Sequence, residues 1–298
     1  MEKQAKRLLI FSILSVFSLL FVSCEMKVLP SPEGLTADFF EVFWEPVENA
    51  DEYVVSIDGE EYKNDMNRVF KDGRGSYSSI IDNVFLWLKQ FPNAGTNMVI
   101  SHNDLPYVKQ SLIHLVKLGI TKIDVNPVIE DVWKEDDDKI LENELIDFAD
   151  YIIDNNLWQF LEISVFNEAI GLPLIYDNSR SFCGDMTFAV DGKGNLYPCM
   201  RFADYSLRSK KSRVIGNLLT GIDCNKLRSF QLQNDMSFYP LKCRECNVAS
   251  GCKVCPAENY DSSLTNTVFQ HSLVACDIHK AKVRAKNYYW NKLRNKCK

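Results

Sequence analysis

Between Cys24 and Cys183 the chain contains no cysteine, which excludes a thiolate-held metal centre from residues 25–182. Basic residues are not in excess: 34 Lys and Arg face 40 Asp and Glu, a net charge of −6, which argues against a dedicated nucleic-acid binder. Nor is the chain poor in apolar residues. They make up 46% of its 298 residues, which excludes a disordered chain and suffices for roughly two domains with real cores. What is present is concentrated. Of ten cysteines, eight fall between residues 183 and 276, where an even spread would place about three.

The N-terminus has a different character. Lys3, Lys6 and Arg7 precede the apolar run LLIFSILSVFSLLFV and then Ser23-Cys24, the order of a secretory signal. Phe21-Val22-Ser23-Cys24 resembles a bacterial lipobox with Phe in place of the usual Leu. A short membrane anchor or a buried helix is the alternative. In residues 29–62, Val42 and Trp44 and then Tyr53, Val55 and Ile57 alternate as two half-buried strands around the PVENAD turn. They resemble the opening strands of a fibronectin type III domain, too few to close a sandwich. An ordinary hairpin packed on the next domain fits as well.

From residue 78 the period becomes helical. Ile80, Ile81, Val84, Phe85 and Leu88 share a face, MVIS (98–101) reads as a buried strand, and Asp104 and Gly119 bracket the next helix. IDVNPVI (123–129) is another strand. A long helix then runs from about Glu135 to Asn155, with Ile140, Leu145, Phe148 and Ile152 inward. Strands alternating with helices imply a parallel sheet of about three units, fewer than a closed barrel needs. The acidic run from Glu130 to Asp147 reads as a solvated helix face. The basic tail Lys280–Lys298, with Tyr288, Tyr289 and Trp290, reads as a terminal amphipathic helix packing its aromatic face on the fold.

In the cysteine-rich third, Cys183 and Cys199 flank a hairpin whose turn is DGKGN (191–195). Cys243-x2-Cys246-x5-Cys252-x2-Cys255 and Cys276 follow. Such thiolates suit iron–sulfur clusters first, zinc second and disulfides third. Seven well-placed thiols exceed the need of one zinc.

This array, with Gly194 between the first two cysteines, resembles the seven-cysteine SPASM domain of radical SAM peptide maturases, which usually have three residues between the last two cysteines of the middle group rather than two. SIDG (56–59), NRVFKDGRGSY (67–77), FAVDGKGNLYPCMRF (188–202), IGNLLTGID (215–223), ECNVASGC (245–252) and the final YYWNKL extend the resemblance over about residues 55–293. It implies two auxiliary [4Fe–4S] clusters, one held by Cys243, Cys246, Cys252 and Cys276. The other would be held by Cys183, Cys199 and Cys255, with an open iron able to take a substrate thiolate, as in thioether-forming members. Cys224 and Cys297 match nothing, and His279 is a possible substitute ligand or an ordinary core histidine. Ser56 and Arg68 resemble positions that contact S-adenosylmethionine. Anaerobic sulfatase maturases resembling this family carry an acidic base where this chain has Met200, so that activity is not expected. The family's Cys-x3-Cys-x2-Cys triplet and its glycine-rich methionine-binding segment do not occur in residues 1–182.

The fold expected is therefore α/β: the C-terminal half of a radical SAM-type (β/α)6 partial barrel, then a small cysteine-rich SPASM domain, after a short β-rich N-terminal segment. The divisions are 1–24 signal or lipobox, 25–62 partial fibronectin III-like, 63–175 partial barrel, 176–280 SPASM and 281–298 basic helix. The function expected is that of an iron–sulfur-binding peptide maturase of thioether type. It is expected to be truncated and unable to generate the radical alone, with S-adenosylmethionine used only if the missing barrel half is supplied. A cluster-based peptide-binding module and an exported lipoprotein are the alternatives. Expected partners are a ribosomally made precursor peptide and a reductant such as flavodoxin or ferredoxin, with no nucleic acid and possible membrane contact through residues 1–24. The clusters ask for the cytoplasm and the N-terminus for the envelope.

Overall fold

The computed structural model describes residues 36–38, 41–43, 57–173, 181–252 and 254–297. The signal-like segment 1–24, and Trp44, Tyr53, Val55 and Ser56, lie outside them. Strands β1 (Thr36–Asp38) and β2 (Glu41–Phe43) form a short antiparallel pair with Thr36 opposite Phe43. Of the alternating residues expected in a fibronectin-like sheet, Ile57 is instead fully buried in the core of the following α/β unit.

That unit contains a three-stranded parallel sheet. Helices α1 (Glu61–Asn67) and α2 (Tyr77–Gln90) precede β3 (Gly95–Ile100); α3 (Val108–Lys117) leads to β4 (Lys122–Pro127), and α4 (Asp137–Asp154) to β5 (Glu162–Ile163). The strand order is β3-β4-β5, with Gly95 opposite Lys122 and Lys122 opposite Glu162. The pleat divides the side chains between two faces. Thr96, Met98, Ile100, Ile123 and Val125 are buried, while Asn97, Val99, Asp124 and Asn126 lie on the opposite, more open face.

Periodicity located the helices better than it located their faces. In α2 the buried stripe is Ile80, Val84 and Trp87, whereas Phe85 is half-exposed. In α4 it is Leu141, Leu145, Phe148 and Ile152, so Leu141 takes the place expected of Ile140. Both corrections follow from the 100° step of the helix: an apolar residue one position off the stripe is carried towards solvent. Ser101 and Asp104 form the reciprocal N-terminal box of the short turn at His102–Tyr107, and Gly119 leaves α3 with φ +93°.

A second core gathers Tyr197, Phe202, Ile215, Phe230, Tyr260 and Val268. Its sheet is antiparallel, ordered β6 (Ala189–Val190), β7 (Asn195–Tyr197), β8 (Gly216–Asn217) and β9 (Gly221–Ile222). Helices α5 (Cys224–Gln231), α6 (Leu241–Arg244) and α7 (Pro256–Ser262) follow. Phe202 meets Phe230 edge-on at 5.0 Å.

Helix α8 (Cys276–Lys296) returns to the first core, so the division expected at residue 280 falls inside one helix. Tyr289 stacks on Phe166 at 4.5 Å, and the Trp290 indole donates to the Phe166 carbonyl at 2.8 Å. The acidic run is not simply a solvated face. Arg284 bridges Asp138 and Glu142 at 2.9 and 2.6 Å, Lys292 meets Asp150 at 2.7 Å, and Asp137 is buried against His102. The acidic α4 and the basic α8 neutralise each other across a packed seam. No helix among the described residues is long and apolar enough to cross a membrane.

Candidate metal centres

Tight local turns bring Cys183 to Cys199. The chain folds back over Phe182–Thr187, and the Gly184 N–H donates to Pro198 O at 2.8 Å. Gly184 sits at φ +69°, and a Cβ there would come within 2.6 Å of Phe230 Cβ, so the close approach requires glycine. Gln233 holds the Cys183 carbonyl at 2.6 Å. On the other side the hairpin is fixed by Asp191, which accepts from the N–H groups of Lys193 and Asn195 and from the Tyr197 hydroxyl at 2.8, 2.9 and 2.9 Å. A bond from the Asn195 side-chain amide at 2.9 Å leads these in holding the Asp191 carboxyl down at about 2.

The seven candidate thiols interact in two sets. The neighbouring Cys199 thiol lowers Cys183 to about 7 against the opposing effect of burial, and Cys183 in turn raises Cys199, with burial adding to the rise. Cys255 raises Cys199, and Cys183 raises Cys255. Burial pushes the Cys255 thiol up, while Arg201 and the N–H groups of Glu258 and Ala257 draw it down. In the second set, burial and then Cys276 and Cys246 raise Cys243. Cys252 is pushed up to about 11 by burial and then by Cys276, Cys243 and Cys246. Cys243 lies in α6, Cys246 and Cys252 follow it, and Cys276 opens α8.

Crowded thiols that raise one another's pKa resist ionisation unless positive charge arrives between them. An iron–sulfur cluster would supply that charge. Among the described residues no three His, Cys, Asp or Glu side chains are grouped so as to hold a metal ion. The nine described cysteines are all free thiols. Cys224 and Cys297 are exposed at helix ends. His279 donates through Nε2 to the Val248 carbonyl at 2.6 Å, as a core histidine does. Met200 is half-exposed.

Of the two candidate S-adenosylmethionine contacts, Ser56 lies outside the described residues. Arg68 grips Asp58 in bidentate fashion, Nε to Oδ2 at 2.6 Å and a terminal nitrogen to Oδ1 at 3.2 Å. Asp58 also accepts from the Val99 N–H at 2.9 Å, anchoring the pair to β3. Beside them the buried Lys63 donates to the Val99 carbonyl at 2.7 Å, and burial lowers its pKa.

Sequence reasoning passed over Arg201. It reaches Glu130, in the loop after β4, at 2.5 Å and Glu258 at 4.0 Å, and so joins the C-terminal edge of the parallel sheet to the first thiol set. A lone cation two residues after a candidate ligand was the available signal. His102, at the end of β3, was also passed over; its Nδ1 lies 2.9 Å from both carboxylate oxygens of the buried Asp137. The open sheet face, with Asn97 and Asp124, borders a cavity of about 650 Å³ whose walls include Trp158, Tyr289 and Trp290.

No protein-family description and no curated protein matches the chain. Solved structures do. Native anSMEcpe with bound AdoMet aligns over 81% of this chain and 67% of its own, with TM-score 0.54 and 16% identity. The same protein with AdoMet and the Kp18Cys peptide gives TM-score 0.53 over 81% and 68%, and with the Cp18Cys peptide 0.51 over the same shares, both at 16% identity. The chain spans about two thirds of the length of these structures. At this identity the likeness is one of fold: a mixed α/β unit with a parallel sheet, joined to a cysteine-rich region.

Proposed function

We propose that this chain is an iron–sulfur protein of the radical SAM peptide-maturase type, with a partial barrel and a SPASM domain that handles a ribosomally made precursor peptide. The observation that carries the reading is the array of seven free thiols in the cysteine-rich region, Cys183, Cys199, Cys243, Cys246, Cys252, Cys255 and Cys276. The shared fold with AdoMet-bound and peptide-bound anSMEcpe supports it. Each set would hold one [4Fe–4S] cluster. When bound, the clusters supply electron transfer and, at the first, an iron with a place for a substrate thiolate.

This chain's own residues hold the thiols in place. The Gly184 turn and the Asp191 hairpin set the spacing of Cys183 and Cys199. Main-chain N–H groups and Arg201 favour the ionised form of Cys255. No radical step is assigned to these residues, because the cysteine triplet that begins it is not in the sequence and Arg68 is engaged by Asp58. The same observations favour a second reading, in which the cluster domain binds a peptide without a radical step. An electron donor such as flavodoxin or ferredoxin and a cytoplasmic site of assembly belong to the first reading.

Anaerobic reconstitution tests the proposal. Two four-iron clusters give about eight irons per chain. Replacing either Cys199 or Cys252 by Ser is expected to halve that figure. About one zinc per chain, or no metal with oxidised cysteines, overturns it. Deoxyadenosine released from S-adenosylmethionine under reducing conditions would exclude the second reading.

A further inference from the structure

The first thiol set has a cation built into it. Arg201 lies in the short turn Met200–Phe202 that begins at Cys199, and Phe202, fully buried, anchors that turn in the second core. Arg201 follows Cys199 by two residues, and its guanidinium charge favours the ionised forms of Cys183 and Cys255. One edge of the guanidinium is fixed by Glu130 at 2.5 Å, with Glu258 beyond it at 4.0 Å. Glu258 is itself gripped by Arg208 at 2.6 Å and is almost fully buried. The Nε atom of Arg201 is buried and has no hydrogen-bond acceptor.

A desolvated, charged donor without an acceptor is costly, and native structures rarely keep one. Glu130 and Glu258 meet the terminal nitrogen rather than Nε, and the thiols on which the charge acts, Cys183 and Cys255, offer sulfur acceptors. We propose that Arg201 is a positioning residue for the first cluster: its Nε–H donates to a cluster or cysteine sulfur, and its charge raises that cluster's reduction potential. The proposal rests on the reading that Cys183, Cys199 and Cys255 hold a cluster. Positive charge and hydrogen bonds to sulfur both favour the reduced, more negative state. Glu130 keeps the guanidinium in place and ties it to the loop after β4, so the electron affinity of the cluster is coupled to the open end of the parallel sheet. The second set has its own cations, Lys282 acting on Cys252 and Lys242 on Cys243.

The test is a redox titration of the reconstituted full chain, followed by electron paramagnetic resonance. The second cluster is the internal reference, identified in a chain with Cys183, Cys199 and Cys255 all replaced by Ala. Arg201→Gln is expected to lower the first cluster's reduction equilibrium at least tenfold, about 59 mV for one electron, and to leave the second unmoved. Arg201→Lys keeps the charge but lacks Nε, and is expected to give a smaller drop, about threefold. Unchanged potentials in both variants at full iron content overturn the proposal, as does an equal shift of both clusters. Should Arg201→Gln fail to assemble the first cluster, Arg201→Lys decides by the same titration. A wild-type chain that takes up no iron overturns the underlying reading instead, so the two failures are distinguishable.

Discussion

Asp58 is the most consequential single carboxylate in the α/β unit. It is almost fully buried, and three donors converge on it: Arg68 Nε at 2.6 Å, a second Arg68 nitrogen at 3.2 Å and the Val99 N–H at 2.9 Å. Bonds to a charged acceptor contribute about 1.5–3 kcal/mol each, and removing one member of a buried pair costs about 3–5 kcal/mol. The Arg68 side chain is 25% exposed, so water recovers part of its loss. Asp58→Ala is therefore expected to destabilise the protein by about 3 kcal/mol. Asp58→Asn keeps an acceptor for Val99 and loses the charge, for about 1–2 kcal/mol. In a cycle with Arg68→Met the coupling should be about 2 kcal/mol. Urea unfolding followed by tryptophan fluorescence reads these values, provided the slope with denaturant stays constant. A cost below about 1 kcal/mol for Asp58→Ala would refute the reasoning, since it would mean that the strand is held without the ion pair.

Three further expectations follow from local geometry. A Cβ on Gly59 would lie 2.2 Å from Ser111 Cβ at φ +127°, whereas one on Gly73, at φ +86°, would meet nothing within 4 Å. Thermal unfolding should therefore show Gly59→Ala costing about 3 kcal/mol or more and Gly73→Ala about 1–2 kcal/mol. Burial raises the Asp261 carboxyl, but hydrogen bonds from the Arg208 and Ser209 N–H groups and side chains outweigh it and hold the group at about 2. A depressed carboxylate stabilises the fold above pH ~4, and that stability is lost as pH falls towards 2. The urea midpoint of Asp261→Asn should accordingly fall less steeply than that of the wild type between pH 5 and pH 3. Arg284, which is 43% exposed, bridges Asp138 and Glu142, so Arg284→Ala should cost less than about 1 kcal/mol. Charge reversal to Glu should cost more at low salt than at high salt, and a melting temperature independent of salt would contradict the seam.

Local chemistry made the elements legible. The apolar runs MVIS and IDVNPVI, the cap expected at Asp104 and the turn residues Asp191 and Gly194 each act within a few residues, where period and propensity decide the outcome; that Ser101 is the N-cap and Asp104 its reciprocal partner only the structure shows. Phe85 and Ile140 show the limit, because which of two adjacent apolar residues turns inward depends on the neighbouring element rather than on the helix itself. The spacing of the cysteines likewise suggested seven ligands.

Only the tertiary structure decided what meets across long separations. Arg201 and Glu130 are 71 positions apart and Arg284 and Glu142 are 142 apart, and no local period encodes either pair. Acidic and basic runs that each look solvated in the sequence become partners once α8 returns to α4. The sequence by itself determined a cysteine-rich region after a strand–helix unit, because thiol content and hydrophobic period are properties of neighbouring residues. The tertiary structure decided which distant charges pair, because only folding brings the Arg201 guanidinium to Glu130 and Glu258, far from it along the chain.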